Sequence, residues 1–192
     1  MDWIICMGAS FSSAHGAQKI FDMNPDENRR LVSIMGDSTF FHTGINSLLN
    51  TIYNKGNTIN IILDNRNTGM TGQQDNPGSG KDLQKEVTEI MDIEKIVRAL
   101  GIKHVRRINP NDLQANKDTI NWALDLDEAS VIITDWPCKL KKSYNEEDFK
   151  RYDKMWQTKD KVITELCTGC KACLRSGCSS LIFDQETKKT SI

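Results

Sequence analysis

Short runs rich in β-branched residues alternate along this chain with segments of helical period, and that alternation most narrows the folds open to it. Residues 31–35 (Leu-Val-Ser-Ile-Met) and 58–63 (Thr-Ile-Asn-Ile-Ile-Leu) read as short buried strands, each ending at a Gly or Asp-Asn signal. Between them Phe40, Phe41, Ile45, Leu48, Leu49, Ile52 and Tyr53 recur at helical spacing, and Gly56 stops the run. A loop rich in Gly, Pro and Gln follows from Thr68 to Gly80. An amphipathic pattern from Leu83 to Leu100 then predicts a helix closed by Gly101, followed by a strand over Ile102–Ile108. Asn111 with Gln114 resembles a capping box for a further helix carrying Leu113, Ile120, Trp122, Ala123 and Leu126, and Val131–Thr134 reads as the next strand. Such a pattern predicts an α/β fold, an open, mainly parallel sheet with helices on both faces. Ligands of such sheets sit beyond the carboxyl ends of the strands.

The end of the first strand carries the first chemical signal. Gly36-Asp37-Ser38 opens the helix there, and Asp64-Asn65 ends the next strand. A carboxylate and an amide oxygen at the ends of two strands in one crossover unit can share a divalent ion. Magnesium takes hard oxygen ligands and bridges protein to phosphate. A helix start adds N–H groups and a positive dipole end, and Gly36 lets the backbone come close. Gly-Asp-Ser alone is a common turn and N-cap; it is the pairing with Asn65 that points to a site.

The second signal lies near the far end. Of six cysteines, Cys6 and Cys138 are isolated, whereas Cys167, Cys170, Cys173 and Cys178 form C-x2-C-x2-C-x4-C. Thiolates at successive two-residue gaps wrap one side of a [4Fe–4S] cluster. Structural zinc is the alternative, although four-thiolate zinc sites more often use two C-x2-C knuckles set further apart. The last gap is one residue longer than the usual ferredoxin run, and Ser179 stands where proline is usual, so Cys178 completes this cluster or serves a neighbouring one.

Composition removes other classes. At 192 residues, 27% charged, with a formal net charge of −1, the chain advertises neither a nucleic-acid nor a membrane surface. No apolar run is long enough to span a bilayer, the start lacks a basic, apolar leader, and clustered C-x2-C spacing points to a reducing cytoplasm. Residues 1–138 read as the α/β domain. Residues 139–161 read as a charged linker with scattered aromatics, and residues 162–192 as a partial, ferredoxin-like cysteine segment.

Longer stretches are more specific. Cys6-Met7-Gly8-Ala9-Ser10, Ala14-His15-Gly16, Gly36-Asp37-Ser38-Thr39-Phe40-Phe41-His42-Thr43-Gly44 and Leu63-Asp64-Asn65-Arg66-Asn67-Thr68-Gly69-Met70-Thr71-Gly72-Gln73-Gln74, with the cysteine run, resemble the C-terminal part of the large subunit in the indolepyruvate:ferredoxin oxidoreductase family, one branch of the 2-oxoacid:ferredoxin oxidoreductases. The resemblance implies a thiamine diphosphate-binding fold, with thiamine diphosphate, Mg2+ and a [4Fe–4S] cluster as cofactors. It implies that Asp37 and Asn65 ligate Mg2+ through side chains and Asn67 through its backbone carbonyl. By the same resemblance Gly36, Ser38 and Thr39 meet the diphosphate, and Met70, Thr71 and Gly72 lie along the cofactor. Gly8, Ala9, Ser10 and His15 line its ring end, and His42 is a polar group near the reacting carbon; both histidines have an ordinary packing role as the alternative. The activity implied is oxidative decarboxylation of an arylpyruvate such as indolepyruvate, giving CO2 and acyl-coenzyme A with electrons passed to ferredoxin. A sister activity on pyruvate, 2-oxoglutarate or branched 2-oxoacids, or a non-catalytic diphosphate-binding module carrying an electron-transfer segment, are the alternatives. The implied partners are the rest of the same subunit, with its pyrimidine-binding domain and catalytic glutamate, and a smaller second subunit; the chain by itself is expected to be inactive.

Overall fold

The structure is a computed structural model that describes residues 4–24, 29–138, 164–176 and 181–191. The chain divides into two units, Met1–Tyr144 and Asn145–Ile192.

In the first unit, β1 (Val32–Gly36), β2 (Ile59–Asp64), β3 (His104–Ile108) and β4 (Ser130–Asp135) form one sheet in the order β1-β2-β4-β3. Every pairing is parallel: Gly36 stands opposite Leu63, Asp64 opposite Asp135, and Arg107 opposite Ile133. The connections from β1 to β2 and from β2 to β3 step in one direction across the sheet, and the connection from β3 to β4 steps back. A single crossover hand puts steps of opposite direction on opposite faces. One face accordingly carries α3 (Ile45–Tyr53) and α4 (Ile93–Ala99), together with α1 (Ser10–Phe21), over a core of Phe11, Met35, Leu48, Ile62, Val97, Val131 and Ile133. The other carries α5 (Leu113–Leu124), whose Trp122 and Ala123 pack on Ile59, Ile61, Ile108 and Ile132.

Helical backbone begins directly at the end of β1. A single turn, α2 (Asp37–Thr39), widens into a π-helical turn at Phe40–Gly44 before α3 continues. Gly44 is packed against Met35 so closely that any side chain there would collide with it, and π-turns of this kind cluster at functional sites.

The helix expected over Leu83–Leu100 is confined to Ile93–Ala99. The Asp92 carboxylate accepts from the N–H groups of Glu94 and Lys95 and starts the helix there, while the preceding stretch folds back on itself through a bridge between Lys81 and Val87. Leu83 and Val87 are left exposed. The cap of α5 is Asp112, which accepts from Ala115 N, rather than Asn111. Helix α1 was not anticipated at all.

In the second unit, 3-10 turns at Thr164–Leu166 and Ala172–Ser176 precede an antiparallel pair, β5 (Ile182–Phe183) and β6 (Thr190–Ser191). The expected linker at 139–161 and Cys178 lie outside the described residues. Among the described residues no helix is long and apolar enough to cross a membrane.

Candidate diphosphate and metal site

Asp37 sits where β1 gives way to helix and is 2% exposed. Its Oδ1 accepts from Ser38 N at 2.7 Å, and its Oδ2 accepts from Asn67 N at 3.1 Å and from Asn76 Nδ2 at 3.2 Å. Burial pushes its carboxyl above the ordinary range, and these hydrogen bonds, with one from the Arg66 N–H, pull the other way. Arg66 has φ of 53°, a left-handed conformation unusual for a residue with a side chain. The bend aims successive N–H groups at Asp37. The Asn65 carboxamide joins from the same turn: its Oδ1 accepts from Asn67 N at 3.0 Å. One N–H therefore serves both the Asp37 carboxylate and the Asn65 carboxamide, so the two oxygens converge.

Asn67 is 1% exposed, and neither atom of its carboxamide makes a hydrogen bond. A buried polar group without a partner is costly, and one on the turn whose N–H meets these oxygens fits a ligand. Hard oxygens of this kind suit Mg2+ and do not suit a soft metal.

Ser38 and Thr39 occupy the first helical turn. The Ser38 hydroxyl accepts from Thr68 Oγ1 at 2.9 Å, which leaves its own proton free to donate. Thr68 anchors a loop closed by its bridge to Gln74. At the tip of that loop Met70 is 91% exposed, Thr71 is tied to Gln74, and Gly72 has φ of 116°. Gly8 has φ of 91° and is packed against Thr43 of the π-turn; a Cβ there would lie 2.8 Å from the Thr43 Cβ. Ala9 and Ser10 follow as the start of α1, and the buried Ser10 hydroxyl makes no hydrogen bond. His42 is exposed on the π-turn and touches Thr43 Oγ1. His15 lies elsewhere: its ring is packed against Gly56 and Thr51, on the side of the sheet where β2 begins. The structure brings Asp37, Ser38, Asn65 and Asn67 together and does not bring His15 to them.

Several residues of the site were not singled out from sequence. Asn76 bonds Asp37, and Thr68 bonds Ser38. At the ends of β2, β3 and β4, the buried Asp64 and Asp135 carboxylates form an ion network with the partly buried Arg107 and Arg66. Burial, reinforced by the Asp135 carboxylate, pushes Asp64 up to about 6. The signal available was an acidic residue at the carboxyl end of each of β2 and β4, two otherwise largely apolar strands.

In the second unit Thr190 links two of the cysteines. Its N–H donates to Cys167 Sγ at 3.3 Å, and Cys173 Sγ donates to its Oγ1 at 3.5 Å. Hydrogen bonds from the Thr190 and Gly169 N–H groups lower the pKa of Cys167, and those from the Ala172 N–H and the Thr168 side chain lower that of Cys170. Thiolate character is what a soft metal needs. Among the described residues, no three His, Cys, Asp or Glu side chains gather closely enough to hold a metal ion.

Residues 1–134 match the family model described as thiamine pyrophosphate enzyme, C-terminal TPP binding domain. The whole chain is similar to indolepyruvate oxidoreductase subunit IorA of Pyrococcus horikoshii, at 36% identity over 30% of that protein's length. It is 36% identical to IorA of Archaeoglobus fulgidus, covering 97% of this chain and 28% of that protein. The chain thus spans less than a third of the curated relatives it matches. Among solved structures, the fold resembles 2-oxoglutarate:ferredoxin oxidoreductase from Magnetococcus marinus, with a TM-score of 0.59 and 17% identity over 76% of this chain and 50% of that one. It also resembles benzoylformate decarboxylase from Polynucleobacter necessarius, with a TM-score of 0.54 and 20% identity over 70% of this chain and 24% of that one.

Proposed function

Because the chain belongs to the thiamine pyrophosphate enzyme family, within whose C-terminal cofactor-binding domain residues 1–134 fall, we propose that it is the diphosphate- and magnesium-holding part of a 2-oxoacid:ferredoxin oxidoreductase acting on arylpyruvates such as indolepyruvate. The observation that carries this reading is the convergence of Asp37 Oδ2 and Asn65 Oδ1 on the single N–H of Asn67. When bound, thiamine diphosphate supplies the stabilised carbanion on which decarboxylation of a 2-oxoacid depends.

The chain's own residues do the holding. Asp37 and Asn65 offer side-chain oxygens to Mg2+, with the Asn67 carbonyl as a third ligand. Gly36 allows close approach, and Ser38 and Thr39 offer donors to the diphosphate from the first helical turn. Gly8, Ala9 and Ser10, with the loop carrying Met70, Thr71 and Gly72, form the walls, and Ser10 offers a buried hydroxyl. His42 is the titratable side chain assigned to the substrate end. Cys167, Cys170, Cys173 and Cys178 ligate a [4Fe–4S] cluster on the way to ferredoxin, with coenzyme A taking the acyl group and a second subunit completing the enzyme in the cytoplasm. Support for the arylpyruvate comes from the similarity to IorA.

The test is binding. With Mg2+ present, calorimetry of the purified chain should register thiamine diphosphate uptake, and Asp37→Ala should abolish it. Uptake that survives Asp37→Ala, or that proceeds equally well in a chelator, would sink the reading.

A further inference from the structure

Arg107 stands on β3, an edge strand, yet its guanidinium reaches across to two other strand ends and to the first turn of α4. Its Nη1 lies 3.2 Å from Asp64 Oδ2 and 3.2 Å from Asp135 Oδ2, its Nη2 3.0 Å from Asp92 Oδ1, and its Nε 3.3 Å from Glu94 Oε2. Asp64 and Asp135 are buried and stand opposite each other across β2 and β4. Asp135 also takes Arg66, with Oδ1 3.2 Å from its Nη2.

Both arms of this network end on one short turn. Asp64 is bonded directly to Asn65, and Arg66 lies between Asn65 and Asn67. The same turn is tied to β4 through its backbone, since Trp136 N donates to Asp64 O and Cys138 N to Asn65 O, each at 3.1 Å. Without the guanidinium, two adjacent buried carboxylates would repel, and the inexpensive relief is for the Asp64 end of the turn to move. The Asn65 carboxamide would move with it.

Resting on the reading of Asp37 and Asn65 as the metal pair, we propose that Arg107 is a positioning residue: by clamping Asp64 and Asp135 it holds the 65–67 turn so that Asn65 Oδ1 stays beside Asp37 Oδ2. It touches neither oxygen. Its effect is on how readily the pair takes a divalent ion, as partners behind metal ligands commonly do, at about 10–100-fold in metal affinity.

The experiment uses the full chain and three variants, Arg107→Gln, Arg107→Lys, and Arg107→Gln combined with Asp64→Asn. Thiamine diphosphate uptake is titrated by calorimetry across a series of Mg2+ concentrations, and the cofactor-free melting temperature is recorded alongside. The Mg2+ concentration for half-maximal uptake should rise about tenfold or more in Arg107→Gln. Uptake at saturating Mg2+ should stay near that of the parent chain. Arg107→Lys should recover part of the loss, and removal of the Asp64 charge in the double variant should recover part of it too. A purely structural role would lower the melting temperature and leave the Mg2+ requirement where it was; that outcome overturns the proposal. Should Arg107→Gln fail to fold, Arg107→Lys and the double variant decide, and an unchanged Mg2+ requirement in both overturns it equally. If the parent chain takes up no cofactor at any Mg2+ concentration, the metal-pair reading falls and this inference with it. A parent chain that binds, beside variants that bind identically, defeats the inference alone.

Discussion

At the scale of single residues, burial works against charge, and hydrogen bonds oppose it at some sites and not at others. Asp37 is buried, and burial carries its carboxyl above the ordinary range even though N–H groups from Ser38, Asn76, Asn67 and Arg66 pull the other way. His15 has no such help. Its Nδ1 is buried without a partner, and burial, seconded by Lys19, lowers its pKa below the ordinary value of 6.5. The folded state therefore keeps the ring neutral where the unfolded chain would take a proton. The unfolded state binds more protons, so stability is present above about pH 6.5 and is lost as pH falls below that value through the lower folded-state pKa. His15→Leu should flatten that slope, and denaturant midpoints measured on both proteins across the acid range check it; parallel curves would refute it. The same scale explains what was legible. That Asp37 and Asn65 meet could be read because each directly follows a strand in one crossover unit. Asn76 could not, since its bond to Asp37 spans 39 residues of chain, nor could Arg107, 43 residues from Asp64. No local pattern encodes contacts that only the closed sheet creates.

At the scale of elements, β1, β2 and β4 lie within about a residue of the expected bounds at each end, because strands of a parallel sheet read as near-continuous runs rich in Val, Ile and Leu. Helix α1 escaped notice because its buried stripe is half polar. Phe11, Ala14, His15 and Gln18 fill it, and Gln18 serves as a structural plug, donating to Asp22 and the Arg29 carbonyl and accepting from Leu31 N. The opposite error, the overlong helix from Leu83, arose because amphipathic spacing says nothing of where a cap such as Asp92 cuts in. The cysteine turn offers a sharper test. Gly169 has φ of 73°, and a Cβ there would stand 2.5 Å from the Lys188 carbonyl oxygen. The left-handed backbone alone costs a side chain about 1–2 kcal/mol, and the collision with backbone adds to it. Gly169→Ala should therefore spoil the spacing of Cys167 and Cys170. Iron retained per chain after anaerobic reconstitution should drop severalfold, by colorimetric assay and by the loss of dithionite-bleachable absorbance. A parent chain that emerges colourless with stoichiometric zinc would replace the cluster with a structural zinc site.

At the scale of the whole α/β unit, the sheet is unevenly clothed. Alternate residues of a strand share a face, so Val32 and Ile34, their partners Ile59 and Ile61, and Leu63 opposite Gly36 all lie on the side that carries α5. That helix covers the β4 half, where Ile59 and Ile132 are fully buried. Toward the β1 edge, Val32 is 48% exposed, Ile34 55% and Leu63 43%. Parallel sheets are ordinarily covered on both faces, and a contiguous apolar strip of this kind is a surface for association. The purified chain should bind a hydrophobic dye and show concentration-dependent sedimentation. Ile34→Thr keeps the β-branch that suits a strand while removing apolar area from the strip. It should reduce both signals, and because the side chain is already half in water, it should change stability by no more than about 0.5 kcal/mol. Dye binding and sedimentation that are identical in parent and variant would show that the strip is not adhesive, and the unclothed half of the sheet would then be a tolerated cost of this topology rather than a contact surface.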